Sequence, residues 1–249
     1  MPRTILVVPC YNEARRLQVQ EFERFAHAEP AVDFVLVNDG STDATLELLR
    51  ALAERLPGRV EVLDLQPNRG KAEAVRHGMQ HALRAGAQHV GYWDADLATP
   101  FAALAELEAR LAENPGLVAV FGSRVKLLGR TIERHMHRHY LGRVFATAAS
   151  LVLGLAIYDT QCGAKLFRAS DEARALFDEP FVTGWIFDVE ILARLVALRR
   201  RSGGPPVASA IYEFPLRQWH DVAGSKITLA AGPRAALELL RIRRRYLCG

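Results

Sequence analysis

Val90-Gly91-Tyr92-Trp93-Asp94-Ala95-Asp96 is a short apolar run that ends in two carboxylates, with Pro100 marking a helix start just beyond. A run of this length bounded by polar residues reads as a buried strand. Four more of the same kind lie nearby: Thr4–Val8, Phe34–Val37, Val60–Leu63 and Leu117–Phe121. Helical patterns fill the spaces between them, near residues 13–28, 43–55, 72–84 and 101–112. This alternation predicts βαβ units, and so an α/β fold with a mostly parallel central sheet flanked by helices. Four of the strands also end in polar clusters. The first runs into Pro9-Cys10-Tyr11-Asn12-Glu13, the second into Asn38-Asp39-Gly40-Ser41-Thr42-Asp43, the third towards Asn68-Arg69-Gly70-Lys71 and the fourth into Asp94-Ala95-Asp96. Open α/β sheets bind ligands outside the carboxyl ends of their strands. Four clusters at those ends are hard to explain by packing.

In an extended segment residues i and i+2 face the same way, so Asp94 and Asp96 can approach one cation. Mg2+ and Mn2+ take oxygen ligands, typically one or two carboxylates together with substrate phosphates. Helix capping by Asp96 or Thr99 is the competing explanation. Asp39-Gly40 likewise suits a turn, and Ser41, Thr42 or Asp43 a helix cap, roles that coexist with ligand contact. Gly70-Lys71 opens a helix, where free backbone N–H groups and a lysine favour phosphate.

Composition bounds the rest. Of 249 residues, 50% are hydrophobic and 24% charged, which describes a globular chain with a sizeable core. The net charge is only +4, but residues 124–143 carry +5 and residues 234–245 carry +4, leaving the remainder acidic. Such concentration points to an anionic partner, whether phosphate, nucleic acid or a lipid surface, with solvated helix faces as the plain alternative. Nucleic acid is least favoured, because the basic stretches lack interleaved stacking aromatics. The longest uncharged run, Val144 to Tyr158, is shorter than the roughly 20 residues a membrane crossing needs. Its apolar residues recur at helical spacing, as in an amphipathic or buried helix. The N-terminus runs directly into the first strand, so no signal peptide is expected. Three scattered cysteines, Cys10, Cys162 and Cys248, suggest a reducing, cytoplasmic setting rather than disulfides, and Cys162 reads as a small buried residue. His135, His137 and His139 alternate, but in a stretch that looks helical, which argues against a metal site. After residue 123 the βαβ rhythm fails; a loop at 202–206, a strand at 207–214 and a helix over 226–246 are expected.

Taken together, these clusters resemble glycosyltransferase family 2 enzymes of the nucleotide-sugar-binding fold called GT-A, and within them the polyprenyl- and dolichyl-phosphate sugar synthases. The resemblance extends through Gly122-Ser123-Arg124, Asp159-Thr160-Gln161-Cys162-Gly163-Ala164-Lys165-Leu166-Phe167, Trp185-Ile186-Phe187-Asp188-Val189-Glu190, Trp219 and Gly224-Ser225-Lys226. It covers nearly the whole chain in order. The resemblance implies one continuous domain, with residues 1–123 as the nucleotide-sugar half and residues 124–249 as an acceptor half with basic, amphipathic, membrane-facing helices. By the same resemblance Pro9, Tyr11 and Glu13 line the nucleotide pocket, Asp39 reads the base, and Lys71 and Asp94 lie near the nucleotide. Asp96 is the principal ligand of Mg2+ or Mn2+, with Asp94 beside it. Arg124, Arg138, Arg143, Ser225 and Lys226 hold the acceptor phosphate. Asp188, Arg124 and Lys226 are the expected catalytic group. Ala98 stands where mannose-type relatives often carry a Gln metal ligand, and the C-terminal membrane helices of many relatives are not expected here.

The implied reaction is inverting transfer of a hexose from a nucleotide diphosphate sugar to a polyprenyl or dolichyl phosphate, on the cytoplasmic face of a membrane. Glucose is favoured by the 159–167 segment. A phosphate monoester is largely ionised at neutral pH and needs cations rather than a base, whereas a hydroxyl acceptor would use Asp188 as base. Transfer from GDP-mannose, a soluble hydroxyl acceptor, and a non-catalytic nucleotide-sugar or anionic-lipid binding module are the alternatives.

Overall fold

The structure is a computed structural model and describes residues 3–133, 136–222 and 231–248; the side chains of 136–141, 231 and 232 lie outside the description. Two compact units are formed, one from residues 1–97 and 163–180, the other from 98–162 and 181–249.

The first unit contains strands β1 (Thr4–Cys10), β2 (Val32–Asp39), β3 (Val60–Leu65) and β4 (His89–Trp93). Helices α1 (Val19–Ala28), α2 (Thr45–Arg55) and α3 (Lys71–Arg84) connect them. β1 pairs in parallel with both β2 and β4, and β2 pairs in parallel with β3. The strand order therefore runs outward from β1 to β3, then returns to the other side of β1 at β4. That reversal is the switch point at which open α/β sheets leave a crevice for ligands. The chain placed its polar clusters after β1 and β4, on the two sides of this point. All residues of β4 are buried, as the apolar run predicts. Gly78 lets α3 lie close on the sheet, since a Cβ there would fall 2.2 Å from Val7 and 2.9 Å from Val37.

A fifth strand, β7 (Ala164–Arg168), pairs antiparallel with β4, and α6 (Asp171–Asp178) follows it, capped by Ser170. The helix expected from residue 13 starts only at Val19, because 13–17 form turns fixed by Glu13 carbonyl bonds to Arg16 and Leu17.

The second unit holds α4 (Ala103–Glu113), β5 (Ala119–Ser123), β6 (Thr131–Glu133) and α5 (Met136–Leu153). Its later elements are α7 (Phe187–Ser202), β8 (Ile211–Pro215), β9 (Gln218–His220) and α8 (Ala231–Ile242), which runs into a π-helical turn, Arg243–Leu247. β5 pairs with β8 and β6 with β9, both in parallel. The strand expected from 207 opens instead with a 3-10 turn, Val207–Ser209. Among the described residues no helix is long and apolar enough to cross a membrane.

Candidate active site

In the first unit, the loops after β1 and β2 are laced together by their own side chains. The N–H of Asn12 donates to Ser41 Oγ (3.1 Å), that of Thr42 to Asn12 Oδ1 (2.9 Å), and that of Glu13 to Thr45 Oγ1 (2.8 Å). Asn12 adopts a left-handed φ of 53° to make this turn. Glu13 is buried and paired with Arg16 at 2.5 Å. Pro9 and Tyr11 are half-buried beside it.

Asp39 is 2% exposed, and its carboxylate accepts from Asn68 Nδ2 (2.9 Å) and from the N–H groups of Arg69 and Gly70 (both 2.8 Å). It thus shapes the loop that delivers Lys71 to the first turn of α3. Gly40 has a left-handed φ of 64° and no room for a side chain, since a Cβ would fall 2.5 Å from Asn68 N. Lys71 Nζ then meets Asp94 Oδ1 at 2.5 Å, with both side chains partly exposed.

The Asp94–Asp96 element differs from the extended arrangement that the spacing suggests. The N–H of Leu97 donates to Asp94 O (3.1 Å), closing a turn, and Leu97 takes a φ of 51°. A left-handed branched-chain residue is costly and persists only where its surroundings hold it. Gly163, from the segment entering β7, accepts the Asp94 N–H at 2.9 Å. No cluster of three or more His, Cys, Asp or Glu suited to a metal occurs among the described residues. Asp94 and Asp96, two residues apart in the chain, supply the oxygen donors that suit a hard cation sharing its remaining positions with phosphate oxygens and water. Ala98 is buried and offers no side-chain ligand.

In the second unit, Arg124 grips Asp159 with two parallel bonds, Nε–Oδ2 at 2.7 Å and Nη2–Oδ1 at 2.8 Å, and its own N–H adds a third at 3.0 Å. The Trp219 ring lies 5.3 Å from this guanidinium. Glu213 supports the pair by accepting the N–H groups of Tyr158 and Asp159, each at 2.7 Å. Burial raises the Glu213 carboxyl above its ordinary pKa, and the Asp159 charge pushes the same way against those two N–H bonds. Arg143 stacks 3.6 Å over the Tyr158 ring and donates to the Tyr158 carbonyl at 3.1 Å. Two guanidiniums are therefore held on fixed supports. Asp188 is buried in the first turn of α7. Arg138 lies in α5, but its side chain falls outside the described residues, as do those of His137 and His139. Arg134, His135, Ser225 and Lys226 lie outside them altogether. Cys162 is buried, and burial pushes the equally buried Cys10 thiol far above its ordinary value, so neither suits a nucleophile.

Sequence reasoning missed Glu213, and it singled out the 159–167 segment without giving Asp159 or Gly163 a role of its own. Each acts through a residue distant in the chain, and a single sequence shows no such pairing.

The model of glycosyl transferase family 2 matches residues 5–174. The dolichyl-phosphate beta-glucosyltransferase of Saccharomyces cerevisiae is 32% identical over 265 residues, covering 98% of this chain and 75% of that protein. A dolichyl-phosphate beta-glucosyltransferase of Trichomonas vaginalis is 32% identical over 251 residues, covering 96% and 70%. Among solved structures, glucosyl-3-phosphoglycerate synthase of Mycobacterium tuberculosis, in complex with Mn2+ and UDP-glucose, has a TM-score of 0.66 at 20% identity, covering 97% of this chain and 79% of that one. That likeness shows the shared GT-A fold. With a family model spanning most of its strands and relatives alike over nearly its whole length, the chain belongs to glycosyltransferase family 2.

Proposed function

We propose that the chain transfers glucose, with inversion, from UDP-glucose to a dolichyl or other polyprenyl phosphate. The observation that carries this reading is the Asp94–Asp96 turn at the end of β4, with Lys71 on Asp94. It stands in a chain similar over nearly its whole length to dolichyl-phosphate beta-glucosyltransferases.

The first unit takes the donor. Pro9, Tyr11 and Glu13 line the nucleotide pocket, Asp39 holds the loop at 68–70 while facing the base, and Lys71 places a cation by the diphosphate. Asp96, with Asp94, would hold Mg2+ or Mn2+, which when bound offsets the charge that develops on the departing diphosphate. The residues fit such an ion because they supply only oxygen donors and too few to enclose it.

The second unit takes the acceptor. Arg143, Arg124, Arg138, Ser225 and Lys226 hold its phosphate; Arg124 and Arg143 already stand on fixed supports, and preorganised cations supply a large part of catalysis in charge-developing reactions. One phosphate oxygen forms the new bond to the anomeric carbon as the bond from that carbon to the diphosphate oxygen breaks. The acceptor is already ionised, so no proton moves, and Asp188 serves by geometry. Replacing Asp188 with Asn should then lower the rate without removing a limb from the pH–rate profile; loss of a limb would favour a hydroxyl acceptor. Work at a lipid phosphate places the protein peripherally on a membrane, and the cysteine usage favours the cytoplasmic face.

The test is incubation of membrane lipid extract with labelled UDP-glucose or GDP-mannose. Label from UDP-glucose should enter the organic phase. Label from GDP-mannose alone would move the donor assignment, and label from neither would remove the lipid acceptor.

A further inference from the structure

The segment 181–186, which leads into α7 and Asp188, has no regular structure, yet four of its N–H groups are held by carboxylates. Glu190, with no exposed surface, accepts from Val182 N (3.1 Å) through Oε1 and from Thr183 N (2.9 Å) and Thr183 Oγ1 (2.8 Å) through Oε2. Glu238, 3% exposed and on α8, accepts from Trp185 N and Ile186 N, both at 3.3 Å, and from Arg234 Nε at 3.1 Å. Arg194 balances Glu190 from one turn further along α7, at 2.8 Å. Tyr246, in the C-terminal π-helical turn, donates its hydroxyl to the same Glu190 oxygen at 2.8 Å.

Burying a carboxylate costs several kcal/mol before its partners repay it, so an apolar contact would have served stability as well. What two such groups add is a single geometry for the backbone they grip. Both act on the segment that sets the start of α7. One of them is tied through Tyr246 to a turn whose Arg243, Arg244 and Arg245 are all exposed.

We propose that Glu190 and Glu238 are positioning residues for the acceptor side, and that the Tyr246–Glu190 bond makes the C-terminal turn part of that positioning. The proposal rests on the acceptor reading of the second unit. It concerns how the site is held, not which groups touch substrate.

The experiment uses the full chain with Tyr246→Phe, which removes one hydroxyl and keeps the ring, and Glu238→Gln as a second variant. The expected result is a fall of roughly fivefold in kcat/KM for the polyprenyl phosphate, with the KM for UDP-glucose within about twofold of the parent. Acrylamide quenching of Trp185, taken as the difference between each protein and its Trp185→Phe counterpart, should rise in both variants as the segment loosens. Unchanged quenching in both variants would overturn the positioning role whatever the activity shows. So would a parallel loss of donor and acceptor affinity. Quenching that rises in the variants of a protein unable to transfer to polyprenyl phosphate would support the positioning and reject only the acceptor reading. If Tyr246→Phe fails to fold, the Glu238→Gln measurements decide alone.

Discussion

A Cβ on Gly163 would lie 1.9 Å from Oδ2 of Asp94 and 2.5 Å from Oδ1, where no atom can stand. Glycine is needed here for space, since its backbone is otherwise ordinary. Gly163→Ala must displace the Asp94 carboxylate from the place in which it meets Lys71 Nζ, or move the backbone at 163. A displacement near 1 Å in a reacting site costs up to about 100-fold in rate, so turnover should fall by roughly 10- to 100-fold while the protein still folds. Initial rates beside a melting curve check this, and full activity would show that Asp94 needs no fixed place. Asp96→Ala is expected to abolish transfer with the fold kept, by roughly 1,000-fold or more, because several kcal/mol of charge stabilisation depends on the cation that it would hold. EDTA should silence the parent protein in the same assay, and an Asp96→Ala protein fully active in EDTA would refute the metal assignment.

At the scale of elements, Asp43 joins two loops to a helix. It accepts from Thr45 N at 3.0 Å, from the Thr45 hydroxyl, and from Ala14 N at 3.3 Å. Its slight burial opposes ionisation, but the Thr45 and Ala14 bonds win and hold its pKa below the ordinary 3.8. A carboxyl whose pKa is lower folded than unfolded stabilises above the unfolded value, and that contribution is lost as pH falls through the folded one. Asp43→Asn, which keeps one accepting oxygen and loses the charge, should therefore melt roughly 2 °C below the parent at neutral pH, and the two curves should converge below pH 3.8. A gap that is constant with pH would place the effect elsewhere. Elements such as β1 to β4 were legible because apolar runs alternated with helical periods and each run ended in polar residues. β7 and α7 were not. β7 buries Lys165 completely, and α7 buries Asp188, Glu190, Arg194 and Arg199. Charged residues at core positions break the periodicity that marks a buried face, and their compensating partners lie in other elements. The candidate site divides the same way: Asp39, Lys71, Asp94 and Asp96 stand in recognisable strand-end clusters, while the Arg124–Asp159–Glu213 support joins three separate segments.

For the whole molecule, the acceptor reading demands that a protein whose described helices cannot span a bilayer still meet a lipid phosphate. Two surfaces can bring it there. Arg241, Arg243, Arg244 and Arg245 are all exposed, and Leu237 and Leu240 beside them on α8 are 59% and 50% exposed. On α5, Val144 and Leu151 are 71% and 79% exposed, two turns apart on one face. Each arginine near an anionic leaflet is worth about 1 kcal/mol within a Debye length of roughly 8–10 Å, so four supply on the order of 4 kcal/mol. That suits reversible attachment. The protein should sediment with anionic liposomes at low salt and be released at high salt, and Gln at the four arginine positions should weaken binding by roughly 100-fold or more. Val144→Ser and Leu151→Ser should instead weaken binding by a similar factor at low and at high salt, because apolar burial is not screened. The two sets of variants thus separate the contributions by their salt dependence. Equal partition onto neutral and anionic liposomes, untouched by salt or by the four arginine replacements, would remove the electrostatic account and leave the exposed apolar face of α5 as the route to the membrane.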